Sequence, residues 1–359
     1  MYFCIDCNVY YRTQKERYSF LEIDQIAFTS ARTLLSEKIL QVNEGNFSEL
    51  ALEVFRFQAK YNPLYRRYLS LIDRSIEDIQ CLENIPCLPI QFFKNHRIQT
   101  GKWTPTRTFT SSGTTGQITS RHLLFNDDWY YQICQMGFES FYGPLDQYCV
   151  LALLPAYLER QNSSLVFMAD YFIRESPYSE SGFFLYDYEA LLAQIEVCQA
   201  KGIPTVLLGV SFALWDLAEQ YTIDYSSLII METGGMKGRR RAITREELHN
   251  IYFKAFKVPS IHSEYGMTEL LSQAYSKGAG VFYPSPTMRI QGRSITDPFA
   301  IAKSEKTAAL NIIDLANLDT ISFIATDDLG KIYEDGSFEV LGRLDHSDLR
   351  GCNLLIDNY

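Results

Sequence analysis

The sequence predicts an α/β protein with a mainly parallel sheet flanked by helices. Three observations carry that expectation. From about Lys102 onward, short apolar runs alternate with helical periods, the rhythm of strands joined by crossover helices. A helix-rich block precedes this region, and glycine-punctuated runs that read as β-hairpins follow it. With 359 residues, 47% of them hydrophobic, the chain can bury one large core with appendages or two smaller ones.

Residues 1–100 read as mostly helical. A helix through Leu50, Val54, Phe55 and Phe57 follows Asn46-Phe47-Ser48 and breaks at Asn62-Pro63, where proline removes a backbone donor. The block is rich in Tyr, Phe and Arg and holds no catalytic constellation, so it reads as a structural cap packed on the core. Tyr148 to Leu154 is a buried strand ending at Pro155. Tyr188 to Lys201 has helical spacing, with Asp187 as its N-cap and Gly202 as its stop. Thr205 to Val210 is a strand, Phe212 to Gln220 a helix, and Leu228 to Met231 a strand leading into Gly234-Gly235. Thr244-Arg245-Glu246-Glu247 is a capping box that opens a helix to about Lys257. Ile321 to Ala325 and Lys331 to Leu341 read as hairpins. The expected division is a helical N-terminal region (1–100), an α/β core (101–345) and a short tail (346–359).

The net charge of −10 lacks the basic footprint of a nucleic-acid binder. No apolar run approaches the roughly 20 residues that span a bilayer, and Met1 to Arg17 lacks a signal-peptide pattern. A cytoplasmic location with reduced thiols is the expectation. Cys4-Ile5-Asp6-Cys7 is a CxxC without a second pair, which reads as incidental rather than as a zinc or redox site.

Three motifs carry chemistry. Phe109 to Gly116 contains an S-S-G-T-T-G core, Ser111, Ser112, Gly113, Thr114, Thr115 and Gly116. Glycines let the backbone approach a ligand, while successive N–H groups and hydroxyls make an anion cradle. Taken alone, such a run is more often a surface loop. In Ser263-Glu264-Tyr265-Gly266-Met267-Thr268-Glu269, the tyrosine offers a face to a purine and Gly266 a close approach. Glu269 is a hard oxygen ligand suited to Mg²⁺; an acidic first turn of a helix would look the same. Thr326-Asp327-Asp328-Leu329-Gly330 precedes Gly342-Arg343-Leu344-Asp345. A carboxylate such as Asp328 can accept both ribose hydroxyls, and Arg343 is a permanent cation. The same residues can read as two turns joined by a hairpin. In open α/β sheets, ligands gather at the carboxyl ends of strands, where Gly234-Gly235 and the Tyr265 motif fall.

As an ordered set, F-T-S-S-G-T-T-G, Y-G-M-T-E, T-D-D-L-G and G-R-x-D resemble the core motifs of the adenylate-forming superfamily of acyl-CoA synthetases, peptide-synthetase adenylation domains and firefly luciferase. Within it, the doubled serine, Thr233 to Gly238 and the chain length are most similar to the acyl-protein synthetases of bacterial luciferase operons (LuxE-like). The resemblance covers about Thr100 onward and implies ATP and Mg²⁺ as cofactors. Ser111 to Gly116 would hold the ATP phosphates, and Gly234, Gly235, Tyr265 and Gly266 the adenine side. Thr268 would meet the α-phosphate, Glu269 would hold the metal, and Asp328 and Arg343 would contact ribose.

The loop departs from the family pattern in lacking Pro-Lys after Gly116; it runs Gln117 to Arg121, and Arg121 is the nearest cation. Residues 346–359 are all that follow Asp345, so the small C-terminal domain with its catalytic lysine is expected to be missing, as in LuxE-like proteins. By the same resemblance Cys352 would accept the acyl group, with His346 as a possible base. The implied function is ATP-dependent activation of a carboxylic acid, a long-chain fatty acid by family expectation, with delivery to an acyl reductase or carrier-protein partner. Two other readings stay open at this level: an acyl- or aryl-CoA ligase, and a non-catalytic nucleotide- or acyl-binding subunit of a reductase complex.

Overall fold

A computed structural model describes residues 25–111, 118–155, 162–234, 243–302 and 305–344. The helices are α1 (Gln25–Ile39), α2 (Phe47–Tyr61), α3 (Pro63–Leu71), α4 (Phe92–Asn95), α5 (Asp127–Tyr142), α6 (Ser164–Glu175), α7 (Tyr188–Lys201), α8 (Ser211–Gln220) and α9 (Arg245–Phe256). The strands are β1 (Leu88–Pro89), β2 (Arg107–Thr110), β3 (Arg121–Leu124), β4 (Cys149–Leu153), β5 (Gly182–Phe183), β6 (Thr205–Val210), β7 (Leu228–Thr233), β8 (Ile261–Tyr265), β9 (Ala274–Ser276), β10 (Val281–Pro284), β11 (Met288–Arg293), β12 (Ala308–Asp314), β13 (Phe323–Ile332) and β14 (Phe338–Arg343).

The alternating core forms as its local signals direct. β6 coincides with its apolar run, and every residue in it is buried, as expected for a strand covered on both faces. Asp187 caps α7 by accepting from the Ala190 N–H at 3.0 Å, and Gly202 ends it in the left-handed conformation at φ +65°. The Thr244–Glu247 capping box opens α9 with both reciprocal bonds made. Asn62 plays two parts: it ends α2 and caps α3 by accepting from Tyr65 N–H at 3.0 Å, with Pro63 at the first helical position.

Among the described residues, one twelve-stranded sheet runs in the order β11-β12-β13-β14-β10-β9-β8-β7-β6-β4-β5, with β1 beside β13. Strands β5, β4, β6, β7 and β8 are mutually parallel. From β8 to β9 onward the pairings in the main path are antiparallel. The sheet is therefore mixed: hairpins of the last third extend the parallel half. Ile321–Ala325 is not a hairpin by itself; it leads into β13, which pairs with β14 across the Asp335-Gly336 turn. Thr326 to Gly330 accordingly lies in a strand rather than a turn, with a register shift between Leu329 and Gly330.

The N-terminal helices grip the short turn Leu315–Asp319. Arg32 makes a bidentate pair with Asp319 at 2.7 and 2.8 Å. The buried Gln58 amide donates to the carbonyls of Asn317 and Leu318 at 3.0 and 3.1 Å and accepts from Ser322 N–H at 3.0 Å. Asn62 donates to the Thr320 carbonyl at 2.8 Å. A second, two-stranded sheet, β2–β3, stands outside the main one and carries the stem of the hydroxyl-rich loop.

Candidate active site

Strand β8 ends at Tyr265, whose side chain reaches β13 and β14. The Tyr265 hydroxyl donates to Asp328 Oδ2 at 2.8 Å, and Arg343 Nε donates to Asp328 Oδ1 at 3.0 Å. Register explains the second contact, since Asp328 and Arg343 are direct cross-strand partners. The Asp328 side chain is 7% exposed and that of Arg343 is 78% exposed. One carboxylate is thus fixed from two sides, with the cation open to solvent. The Tyr265 ring packs against Phe282 and Phe338, which sets its plane.

Glu269 lies four residues beyond Tyr265 and is 7% exposed. Burial raises its carboxyl above the usual carboxylate range, opposed by the Ser120 hydroxyl and by the charges of Arg343 and Lys94. The Ser120 contact joins two of the sequence motifs. Ser120 pairs with Ser111 at the stem of the loop: Ser111 N–H donates to the Ser120 carbonyl at 3.2 Å, and Ser120 N–H donates to Ser111 Oγ at 2.9 Å. The hydroxyl-rich loop therefore springs from the wall that holds Glu269. Among the described residues no group of three or more His, Cys, Asp and Glu side chains is placed to hold a metal. A single buried carboxylate fits Mg²⁺, which takes one or two carboxylates and fills its remaining positions with water and phosphate oxygens.

Buried polar groups hold the Thr268–Ser272 backbone. His122 on β3 is 1% exposed. Its Nδ1 donates to the Thr268 carbonyl at 2.8 Å, and its Nε2 accepts from the Thr320 hydroxyl at 2.9 Å. The carbonyl can only accept, so the ring is the neutral Nδ1–H tautomer. Burial agrees, lowering the imidazole to about 4. Asn317 Nδ2 donates to the Glu269 carbonyl at 2.8 Å, and Asp314 Oδ2 accepts from Leu271 and Ser272 N–H, each at 2.9 Å. The turn gripped by Arg32 and Gln58 is the one that anchors this segment.

Gly234 adopts φ +68°, and its carbonyl accepts from the Ser211 hydroxyl at 2.8 Å. Gly266 has a different reason to be glycine: a Cβ there would stand 2.4 Å from Glu264 Oε1. Arg121 is exposed at the start of β3. Of the residues singled out in the sequence, the structure thus gathers Tyr265, Glu269, Asp328 and Arg343, with Ser111 joined to them through Ser120, and it fixes the backbones of Thr268 and Gly234. Ser112, Gly113, Thr114, Thr115, Gly116, Gly235, His346 and Cys352 lie outside the described residues.

Sequence reasoning missed Ser120, His122, Lys94, Asn317 and Glu264. The first four join the site only through long-range folding, and nothing local announces them. Glu264 stands inside the Ser263–Glu269 motif, but its burial follows from the pairing of β8 with β7 and β9, which no local signal gives.

No protein-family model matches the chain, and no curated protein matches it in sequence. Its similarity to solved structures lies in the fold. The ATP-bound RpMatB-BxBclM chimera B3 superposes with a TM-score of 0.50 at 17% identity, over 66% of this chain and 47% of that one. ATP-bound MatB from Rhodopseudomonas palustris gives 0.49 at 18% identity, over 66% and 47%. A long-chain-fatty-acid-CoA ligase, FadD1, from Archaeoglobus fulgidus gives 0.49 at 15% identity, over 70% and 53%. The chain spans about half the length of these structures. Over that 66% of the chain, the architecture is the fold of the ATP-bound chimera.

Proposed function

We propose that the chain activates a carboxylic acid with ATP and passes the acyl group to a thiol. The observation that carries this reading is the convergence of Tyr265, Asp328 and Arg343 beside Glu269 and the stem of the hydroxyl-rich loop. A carboxylate oxygen of the acid attacks the α-phosphorus of ATP. The bond between the α-phosphorus and the bridging oxygen breaks, and pyrophosphate leaves with the electron pair, giving acyl-AMP. Asp328 accepts the ribose hydroxyls, and Arg343 supplies a cation at the exposed rim. Tyr265 and Gly234 flank the base. Magnesium, when bound, offsets negative charge on the phosphates, and Glu269 is the carboxylate that would hold it. Loop donors from Ser111 to Gly116 steady the phosphates.

The finer part of the reading rests on the resemblance to LuxE-like acyl-protein synthetases. There the mixed anhydride acylates Cys352: the thiolate attacks the acyl carbon, AMP leaves with the electron pair, and the thioester is handed to an acyl reductase. His346 would take the thiol proton. A long-chain fatty acid is one acid this reading admits.

Acid-dependent exchange of labelled pyrophosphate into ATP tests the first half, with Glu269→Gln expected to raise the Mg²⁺ concentration needed for half-maximal exchange. Exchange that ignores Glu269 would remove it from the metal site. Labelled acid and ATP test the second half: acyl-protein formation lost in Cys352→Ser, with exchange intact, is the expected result. Equal thioester formation on coenzyme A by that variant, with no labelled protein, would assign the acceptor to coenzyme A instead.

A further inference from the structure

Next to the Tyr265–Asp328–Arg343 cluster lies a second polar group that the proposed function does not use. Glu264 is directly paired with Thr233 on β7 and with Tyr275 on β9. Cross-strand partners point to the same face, so the three side chains form a row across the sheet. Gln273, just before β9, lies beside Glu264: a Cβ on Gly266 would stand 3.6 Å from Gln273 Cγ and 2.4 Å from Glu264 Oε1. Helix α5 covers the row: Phe138 and Tyr142 pack on Tyr275, and a Cβ on Gly137 would stand 3.7 Å from Gln273 Oε1. Tyr130 and Cys134 of the same helix, both uncharged when buried, face Glu264.

The polar bookkeeping of this row does not close. The Thr233 hydroxyl donates to Glu264 Oε2. Among the described residues no cation pairs with the carboxyl, which is 8% exposed. Among the described residues, Gln273 Oε1 and the Tyr275 hydroxyl have no hydrogen-bond partner, and their residues are only 3% and 1% exposed. An unpaired buried polar atom costs about 1–3 kcal/mol, and a buried carboxylate without a counter-charge costs more. Each of these groups can accept a hydrogen bond, and the carboxylate also lacks a counter-charge; a cationic N–H donor meets both needs. A carboxylate, an amide oxygen and a phenol oxygen can accept from the three hydrogens of one ammonium group. The row begins one residue from Tyr265, where Gly266 is pressed against the carboxylate, so its occupant adjoins the proposed site of acid activation.

We propose that Glu264, Gln273 and Tyr275 form a subsite for the ammonium group of the acid substrate, which makes the substrate an amino-bearing carboxylic acid rather than a plain fatty acid. This assignment rests on the acid-activation reading above. A site built around hydrogen-bonding groups rejects the analogue that lacks the partner, because its own polar atoms are then left unpaired.

The test is pyrophosphate exchange by the full chain with matched pairs of acids: β-alanine with propionate, 6-aminohexanoate with hexanoate, phenylalanine with 3-phenylpropionate, and palmitate alongside. At least one amine-bearing acid is expected to exceed its partner by about a hundredfold or more in kcat/KM. Glu264→Gln, which keeps the shape and removes the charge, should lose most of that preference while the KM for ATP stays unchanged. Exchange that is equal or better with the amine-free acids, or a preference untouched by Glu264→Gln, overturns the subsite and leaves the acid-activation reading standing. If no acid supports exchange, that reading falls. Calorimetric titration of the same amino acids into the wild type and Glu264→Gln then decides the subsite alone: binding lost in the variant supports it, and no binding or equal binding overturns it.

Discussion

Asp328 is the residue on which the Tyr265–Asp328–Arg343 cluster turns, since two donors from different strands meet on its two oxygens. Asp328→Ala leaves the Tyr265 hydroxyl and Arg343 without their acceptor. Losing a hydrogen bond to a charged group is worth about 1.5–3 kcal/mol. The KM for ATP in the exchange reaction should therefore rise about tenfold or more, and an unchanged KM would detach Asp328 from the ribose. Gly266 makes a prediction of another kind. Gly266→Ala drives a methyl to within 2.4 Å of Glu264 Oε1, and overpacking of this sort costs about 1–3 kcal/mol. Combining it with Glu264→Ser removes the obstructing atoms. Denaturant midpoints should fall in the single variant and recover in the double; failure to recover would mean the backbone itself demands glycine there. At this scale the site was partly legible. Tyr265, Glu269, Asp328 and Arg343 could be chosen because each residue type brings a chemistry. His122 could not, because a lone histidine beside Leu123-Leu124 reads as an ordinary core residue until Thr268 and Thr320 are seen at its two nitrogens.

Among the elements, those set by local signals were readable from sequence and those set by distant pairing were not. Strand β6 and helix α7 keep their expected bounds, because a continuous apolar run fixes one and an Asp187–Gly202 cap pair fixes the other. Within β13, Asp327 to Gly330 could be read as a turn between two hairpins, since Asp-Asp and Gly are turn residues. Strand β13 forms because β12, β14 and β1 all pair with it. The hold of α2 on the Leu315–Asp319 turn was also invisible, since Gln58 lies more than 250 residues from its partners. That hold can be tested. Gln58→Leu strands the Leu318 carbonyl and the Ser322 N–H in the core, while the Asn317 carbonyl keeps the Thr320 N–H at 3.0 Å, at an expected cost of about 2–4 kcal/mol by urea denaturation. A loss under about 0.5 kcal/mol would show that the helix is held by apolar packing alone. Because the turn also carries Asn317 and is capped by Asp314, the same variant should weaken exchange through the Glu269 segment.

For the whole molecule, buried titrating groups of opposite sense set the pH dependence of stability. His122 falls from 6.5 to about 4 on burial, so between those values the unfolded chain holds the proton and stability rises with pH. Glu264 rises from 4.5 to about 7, so through that window the folded chain holds the proton and stability falls with pH. Either shift is worth about 3 kcal/mol over its full span, and the two nearly cancel between pH 4.5 and 6.5. Substitution uncovers them. Glu264→Gln should gain stability relative to the wild type as pH climbs from 4.5 to 7. His122→Asn should lose its disadvantage relative to the wild type as pH falls from 6.5 to 4. Parallel stability curves for wild type and variants would contradict the burial of these groups.

The fold brings the Ser111–Ser120 stem, the buried Glu269 and the Tyr265–Asp328–Arg343 cluster together, and the proposed function is that they activate a carboxylate as its adenylate. The most direct measurement follows the acid's own oxygen. The full chain is given ATP, Mg²⁺ and acids labelled with ¹⁸O in the carboxylate, with hydroxylamine to trap the activated acyl group. Attack on the α-phosphorus carries one labelled oxygen into AMP as the hydroxamate forms, and Asp328→Ala should reduce that transfer about tenfold or more at limiting ATP. Label recovered in inorganic phosphate together with ADP, or no acid-dependent AMP with any acid of the panel, would contradict the account.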